Sequence, residues 1–283
     1  MSEVELSAGT IEYEDTGGTG PVVLLTHGVA MNGSLWDKVV AELRADHRCV
    51  VPNLPLGGHR RAMRAGADLS MRGIARLIAE LMERLDLRGV TLAMNDWGGP
   101  QLLVSEGRDE RVARLVISSC EAFDNVPPGL PGRMLGLSAK VPGGLNALAQ
   151  PLRLRALRRL PVAFGWMAKR PLPHDVTDGW LRPLLTERAI RRDLLAYIRH
   201  AHASDLQEAA GALASFDRPA LVAWASEDRV MPPAHGRRLA ELIPGARLVE
   251  IPDSYTLIPQ DQPKMLAVAM REFVRETEPQ PTA

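Results

Sequence analysis

Short runs of β-branched and aliphatic residues alternate with longer amphipathic stretches along most of the chain, and this alternation narrows the open folds more than any other feature. It is the pattern of βαβ units, in which parallel strands are separated by helices that cover the sheet. Strands are expected at residues 10–14, 22–26, 49–52, 90–94, 115–119, 220–224 and 248–251. Helices are expected at 35–44, 71–87, 100–107, 235–242 and 263–274. The second of these carries Ile74, Leu77, Ile78, Leu81 and Leu85 at helical spacing.

Between about residues 126 and 214 the strand signals stop, and prolines such as Pro127, Pro128, Pro131, Pro142 and Pro151 punctuate short helical stretches. The segment reads as a helical insertion capping the carboxyl edge of the sheet. With 283 residues, 46% of them hydrophobic, the chain can bury one large core. The expected organisation is an α/β core of residues 1–125 and 215–283 with a cap of 126–214. The polar tail after Glu276 is expected to fray.

The 34 Lys and Arg balance the 34 Asp and Glu, so no net charge draws the chain to nucleic acid or an anionic membrane, and neither is expected as a partner. The first residues are acidic rather than basic and then apolar, and no run is long enough to span a bilayer, so a cytoplasmic protein is expected. Cys49 and Cys120 sit in or beside apolar strand-like runs and read as buried small hydrophobes. Neither a dinucleotide fingerprint nor a phosphate loop occurs, so no cofactor or metal is expected. The expected partner is a small molecule, bound by a monomer or homodimer.

Four segments fall at the carboxyl ends of expected strands, where α/β sheets place their ligands. They are residues 26–29, with Trp36 beyond; 95–99, reading Asn-Asp-Trp-Gly-Gly; 224–232, containing Asp228; and 253–259. Asp96 would stand on a sharp strand-to-helix turn, open to the cleft, with Gly98 and Gly99 letting the helix pack closely. That makes it a candidate nucleophile or base, the alternative being an ordinary helix N-cap.

These segments, in this order, resemble the α/β-hydrolase superfamily, in particular its haloalkane dehalogenase and epoxide hydrolase branch. The resemblance covers nearly the whole chain and is weakest in the cap. It implies an α/β-hydrolase fold with a mainly parallel sheet flanked by helices, Asp96 as the nucleophile that forms an ester, and Asp228 as the acid supporting a histidine. It also implies the backbone N–H groups of Val29 and Trp97 as anion-stabilising donors. Glu121, beyond the fifth expected strand, is a second candidate acid.

The chain departs from that pattern at instructive places. Where the last motif of the branch carries histidine, this chain has Thr256, preceded by Tyr255 at the usual glycine. A hydroxyl with no pKa near neutrality cannot activate water as a general base. Met94 replaces the first glycine of the turn and is expected to crowd it, and Val29 stands where dehalogenases often have a halide-binding asparagine. Epoxide hydrolases use two cap tyrosines, whereas this cap has only Tyr197.

Among histidines that could substitute, His59 lies in a loop bordering the expected cleft, although it also reads as an exposed residue beside Arg60 and Arg61. His174, His200 and His202 are weaker candidates, His27 reads as shaping the turn at Gly28, and His47 and His235 read as solvent-facing. Phe164, Trp166, Met167, Trp180 and Leu184 could wall an apolar pocket, with His27, Tyr197 and Tyr255 also near substrate. Cap arginines including Arg153, Arg159 and Arg192 read as a solvated face, without excluding a local basic mouth. Three functions follow: a hydrolase with an altered triad, a non-hydrolytic lyase, isomerase or cyclase using Asp96 as acid or base, or a binding protein without turnover.

Overall fold

In the computed structural model, which describes residues 1–278, eight strands form one sheet in the order β1-β2-β4-β3-β5-β6-β7-β8. They are β1 Ser2–Leu6, β2 Gly9–Asp15, β3 Val22–Thr26, β4 Arg48–Pro52, β5 Val90–Asp96, β6 Val112–Cys120, β7 Ala220–Ala225 and β8 Arg247–Ile251. Pairing is parallel from β4 to β8, while β1 and β2 add an antiparallel edge. Every expected strand is present. The unexpected one, β1, has a mostly exposed burial pattern, so it lacked the apolar signature that marked the others.

The central strands β3, β5, β6 and β7 are almost wholly buried because helices cover both faces of the sheet, as their continuous apolar sequences require. The helix Met71–Arg84 starts where the Ser70 side chain accepts from the Gly73 N–H at 3.0 Å, and it buries Ile74, Leu77, Ile78 and Leu81. The helix after β5 is shorter than expected: a 3₁₀ turn at Gly99–Gln101 leads into Leu102–Ser105. The last helix, Pro263–Thr277, takes in Thr277, whose hydroxyl and carbonyl are held by Arg114, so fraying does not begin at Glu276. Residues 279–283, the rest of the tail expected to fray, lie outside the described part.

Between β6 and β7 the described chain forms helices and turns but no strand, its α-helices being Gly129–Ser138, Gly144–Ala149, His174–Thr186, Arg188–His200 and Ala203–Leu213. The last of these packs on the Leu102–Ser105 helix and is tied by Asp205 and Glu208 to Arg72, so it joins the flank of the sheet. Cys49 and Cys120 are buried and unpaired. No helix among the described residues is long and apolar enough to cross a membrane.

Candidate active site

Asp96 ends β5 at a bulge, where the pairing with β6 shifts between Asn95 and Asp96. Its φ of +66° is a conformation that a non-glycine residue rarely adopts without a functional reason, and it turns the side chain out of the sheet. The turn tolerates Met94, which stays inside the strand, paired with Thr26 and Ile117, and so does not disrupt it. Space around the carboxylate depends on Gly28, since a Cβ there would fall 1.9 Å from Asp96 Oδ2. Across the turn, the Glu121 N–H donates to the Asp96 carbonyl at 2.9 Å and the Gly98 N–H reaches Glu121 Oε2 at 3.5 Å.

Asp96 and Glu121 face one cavity of about 750 Å³, walled mainly by aliphatic and aromatic side chains that include Leu145, Phe164, Met167, Leu181 and Leu184. Val29 and Tyr197 complete its polar end. The Val29 N–H donates to Asp96 Oδ2 at 3.0 Å. The Trp97 N–H instead donates to the Asn95 carbonyl at 2.8 Å. The buried Tyr197 hydroxyl has no hydrogen-bond partner among the described residues, which leaves it free to serve a ligand.

Burial raises the Asp96 pKa to about 7, with the Val29 N–H opposing and the nearby Asp228 adding repulsion. Glu121 is pushed well above its ordinary carboxylate value by burial and then by Asp96, with the Gly98 N–H opposing. Burial likewise raises Asp228 to about 6 against the pull of the Met231 and Val230 N–H groups and the Thr256 hydroxyl. No cation offsets the cost of ionising any of these carboxyls. Burial thus favours the protonated form of each of the three carboxyls.

Thr256 is completely buried, outside the cavity wall, and its hydroxyl donates to Asp228 Oδ1 at 2.7 Å. The Val230 and Met231 N–H groups fill the remaining positions on that oxygen at 2.9 and 2.8 Å. Asn95 Nδ2 donates to the Thr256 carbonyl at 2.8 Å and to the Ser118 carbonyl at 3.0 Å, which ties the loop at Thr256 to β5 and β6. Sequence reasoning gave Asn95 no role. A polar side chain inside a strand buried on both faces was the available signal.

His59 neither lines the cavity nor faces solvent. Its Nε2 meets Asp193 Oδ2 at 3.2 Å and its Nδ1 accepts from the Gly57 N–H at 3.2 Å, so both ring nitrogens are engaged at the junction with the helix Arg188–His200. His27 is a shaping residue rather than a substrate contact: Nε2 accepts from the Leu54 N–H at 2.9 Å, so Nδ1 donates to the Gly28 carbonyl, and burial lowers its pKa to about 4. His47 is buried and His235 half-buried, not solvent-facing, while His174, His200 and His202 are exposed. No histidine among the described residues lines the cavity.

Several expected wall residues lie one layer back. Trp180 is fully buried, donates from its indole to Ser34 Oγ at 2.8 Å and supports Phe164 at a ring distance of 5.5 Å. Trp166 is half-buried away from the wall, and the Tyr255 ring packs under Arg229 at 4.7 Å. Phe164, Met167 and Leu184 do line the cavity.

The cis-3-alkyl-4-alkyloxetan-2-one decarboxylase of Xanthomonas campestris is 28% identical over 285 residues, covering 93% of this chain and 92% of its own. Haloalkane dehalogenase 2 of Mycobacterium tuberculosis is 27% identical over 287 residues, covering 94% and 92%. The crystal structure of the Bradyrhizobium elkani haloalkane dehalogenase DbeA superposes with a TM-score of 0.80 at 18% identity over 98% of this chain and 97% of that one. A Thermogutta terrifontis esterase superposes with a TM-score of 0.74 at 22% identity, covering 99% and 100%. The family model described as the alpha/beta hydrolase fold matches residues 21–259, and the chain belongs to that family of enzymes.

Proposed function

We propose that this chain is a cofactor-independent lyase of the α/β-hydrolase family, acting through Asp96 on an apolar substrate without hydrolysing it. The observation that carries the reading is the engagement of Thr256 with Asp228, which leaves no imidazole at the cavity to activate water beside Asp96. An ester formed on Asp96 would then have to be discharged by the substrate itself.

A β-lactone meets that requirement, and the Xanthomonas relative is named for such a ring. An Asp96 oxygen bonds to the ring carbon bearing the ring oxygen, and that carbon–oxygen bond breaks to free the substrate's own carboxylate. The carboxylate then leaves as carbon dioxide, its carbon–carbon electron pair forms the alkene, and the bond to Asp96 breaks to restore the aspartate. No water, oxidant or external base enters the balance. The Val29 N–H steadies Asp96 Oδ2, while neutral Glu121 and the Tyr197 hydroxyl can donate to polar atoms of the ring.

Supplying a long-chain cis-3,4-dialkyloxetan-2-one should give alkene and carbon dioxide over many turnovers, and Asp96→Asn should abolish this. A stoichiometric burst that stops, or a hydroxy acid as product, would refute the lyase reading. Hydrolysis remains the second reading, supported by the dehalogenase relatives; it would need Asp228, whose Oδ2 lacks a hydrogen-bond partner among the described residues, to serve as the base. The helices between Gly129 and His200 act in either case as the cap that keeps the cavity apolar.

A further inference from the structure

The segment that roofs the cavity has an unusual charge distribution for a chain with no net charge. Between Asp124 and Asp175 there are eight Lys and Arg and no Asp or Glu. Arg155 and Arg158 pair with Asp178, and Lys169 and Arg170 with Asp253. Arg133, Lys140, Arg153 and Arg159 have no carboxylate partner among the described residues and are exposed.

The same segment concentrates exposed apolar side chains: Leu137, Val141, Leu154, Leu160 and Val162 are 36 to 66% accessible. Its helix Gly129–Ser138 has no buried residue at all. These features converge on the cavity, whose lining includes Arg133, Leu137, Lys140, Leu160 and Val162. The rim of an apolar chamber is thus apolar, cationic and free of acids. Exposed apolar groups in such a setting mark an interaction surface.

We propose that this rim is a docking surface for an anionic lipid bilayer, from which apolar substrate passes to the cavity. Interleaved cations and aliphatic side chains match a bilayer surface, where cations meet headgroup phosphates and apolar groups enter the acyl boundary. A second copy of the chain is a poor occupant, since a two-fold contact sets this acid-free patch against itself and opposes like charges. The proposal rests on the surface and not on the chemistry at Asp96, so its test is read without turnover.

Flotation of the full chain with vesicles of phosphatidylcholine, alone or mixed with phosphatidylglycerol, measures it directly. Binding is expected to the anionic vesicles, to weaken with salt, and to fall at least about tenfold in Arg133→Glu/Lys140→Glu. Leu137→Ser/Leu160→Ser should weaken it while leaving the circular-dichroism spectrum intact. Lys264→Glu/Arg275→Glu, the same charge change on the exposed side of the last helix, should bind like the parent. Absence of binding to anionic vesicles, equal binding to neutral ones, or equal loss in the last variant would overturn the proposal. Binding to heparin but not to anionic vesicles would assign the rim to a soluble acidic macromolecule and overturn it too.

Discussion

The hydroxyl of Thr256 donates to Oδ1 of Asp228 at 2.7 Å, tying the segment after β8 to the segment after β7. Asp228 is a buried carboxyl that needs donors, and the hydroxyl supplies one alongside the Val230 and Met231 N–H groups. Thr256→Val keeps the shape and removes the donor. It should cost roughly 1 kcal/mol of stability and change kcat less than tenfold, measured by denaturant unfolding and steady-state kinetics. A drop of a hundredfold or more in kcat would make Thr256 a participant in the chemistry.

Asp96 should impose a pH dependence on stability. In the folded protein its pKa is about 7, against 3.8 for an ordinary aspartate. As pH rises between those values the unfolded chain releases a proton that the folded chain retains. The contribution of Asp96 to stability is therefore full below about 4 and is lost as pH rises through 7, by on the order of a few kcal/mol. Asp96→Asn removes the group and keeps an acceptor for the Val29 N–H, so its melting temperature should exceed the parent's by several degrees at pH 8 and match it near pH 4. A constant difference across that range would show that Asp96 is not held protonated.

The same titration predicts the rate profile. The attacking form of Asp96 is the carboxylate, so kcat/KM should rise with pH along a limb centred near 7. Glu121→Gln keeps the acceptor facing Gly98 but removes the proton that neutral Glu121 carries. It should leave stability at pH 7 nearly unchanged and lower kcat by roughly two to three orders of magnitude, the range for loss of one donor to developing negative charge. Unchanged turnover would remove Glu121 from the reaction.

His59 and Asp193 form a structural clasp. Asp193 Oδ2 also accepts from the Met63 N–H at 2.8 Å, and Arg192 donates to Oδ1 at 2.6 Å, so Asp193→Ala leaves several buried groups unpaired. Its cost should be about 3 kcal/mol, whereas His59→Gln should cost less and retain turnover per folded molecule. Loss of turnover in folded His59→Gln would restore His59 as the missing base.

Much of the fold could be read from the chain because the parallel strands are buried on both faces and announce themselves as unbroken apolar runs. The edge strand β1 was missed because alternation of exposed Glu3 and Glu5 with Val4 carries little apolar signal. At the site, Asp96, Glu121 and Val29 were legible because they follow strands directly, and Tyr197 because it was the one tyrosine of the insertion. His59, Trp180 and Tyr255 were placed nearer the substrate than they are. Their partners Asp193, Ser34 and Arg229 are remote in sequence, and local pattern cannot anticipate pairings made by tertiary packing. The acid-free stretch before Asp175 was visible in the sequence, but its meaning depends on Arg133, Leu137 and Lys140 meeting at a cavity rim.

The central claim is that Asp96 reacts and is regenerated without water. The direct test is turnover of a long-chain cis-3,4-dialkyloxetan-2-one in ¹⁸O-water, followed by mass spectrometry of the peptide containing Asp96. Alkene and carbon dioxide are expected over many cycles with no ¹⁸O in the aspartate, because its bond to carbon breaks on the substrate side. Turnover accompanied by ¹⁸O in Asp96 would show that water cleaves an ester at that residue and would contradict it.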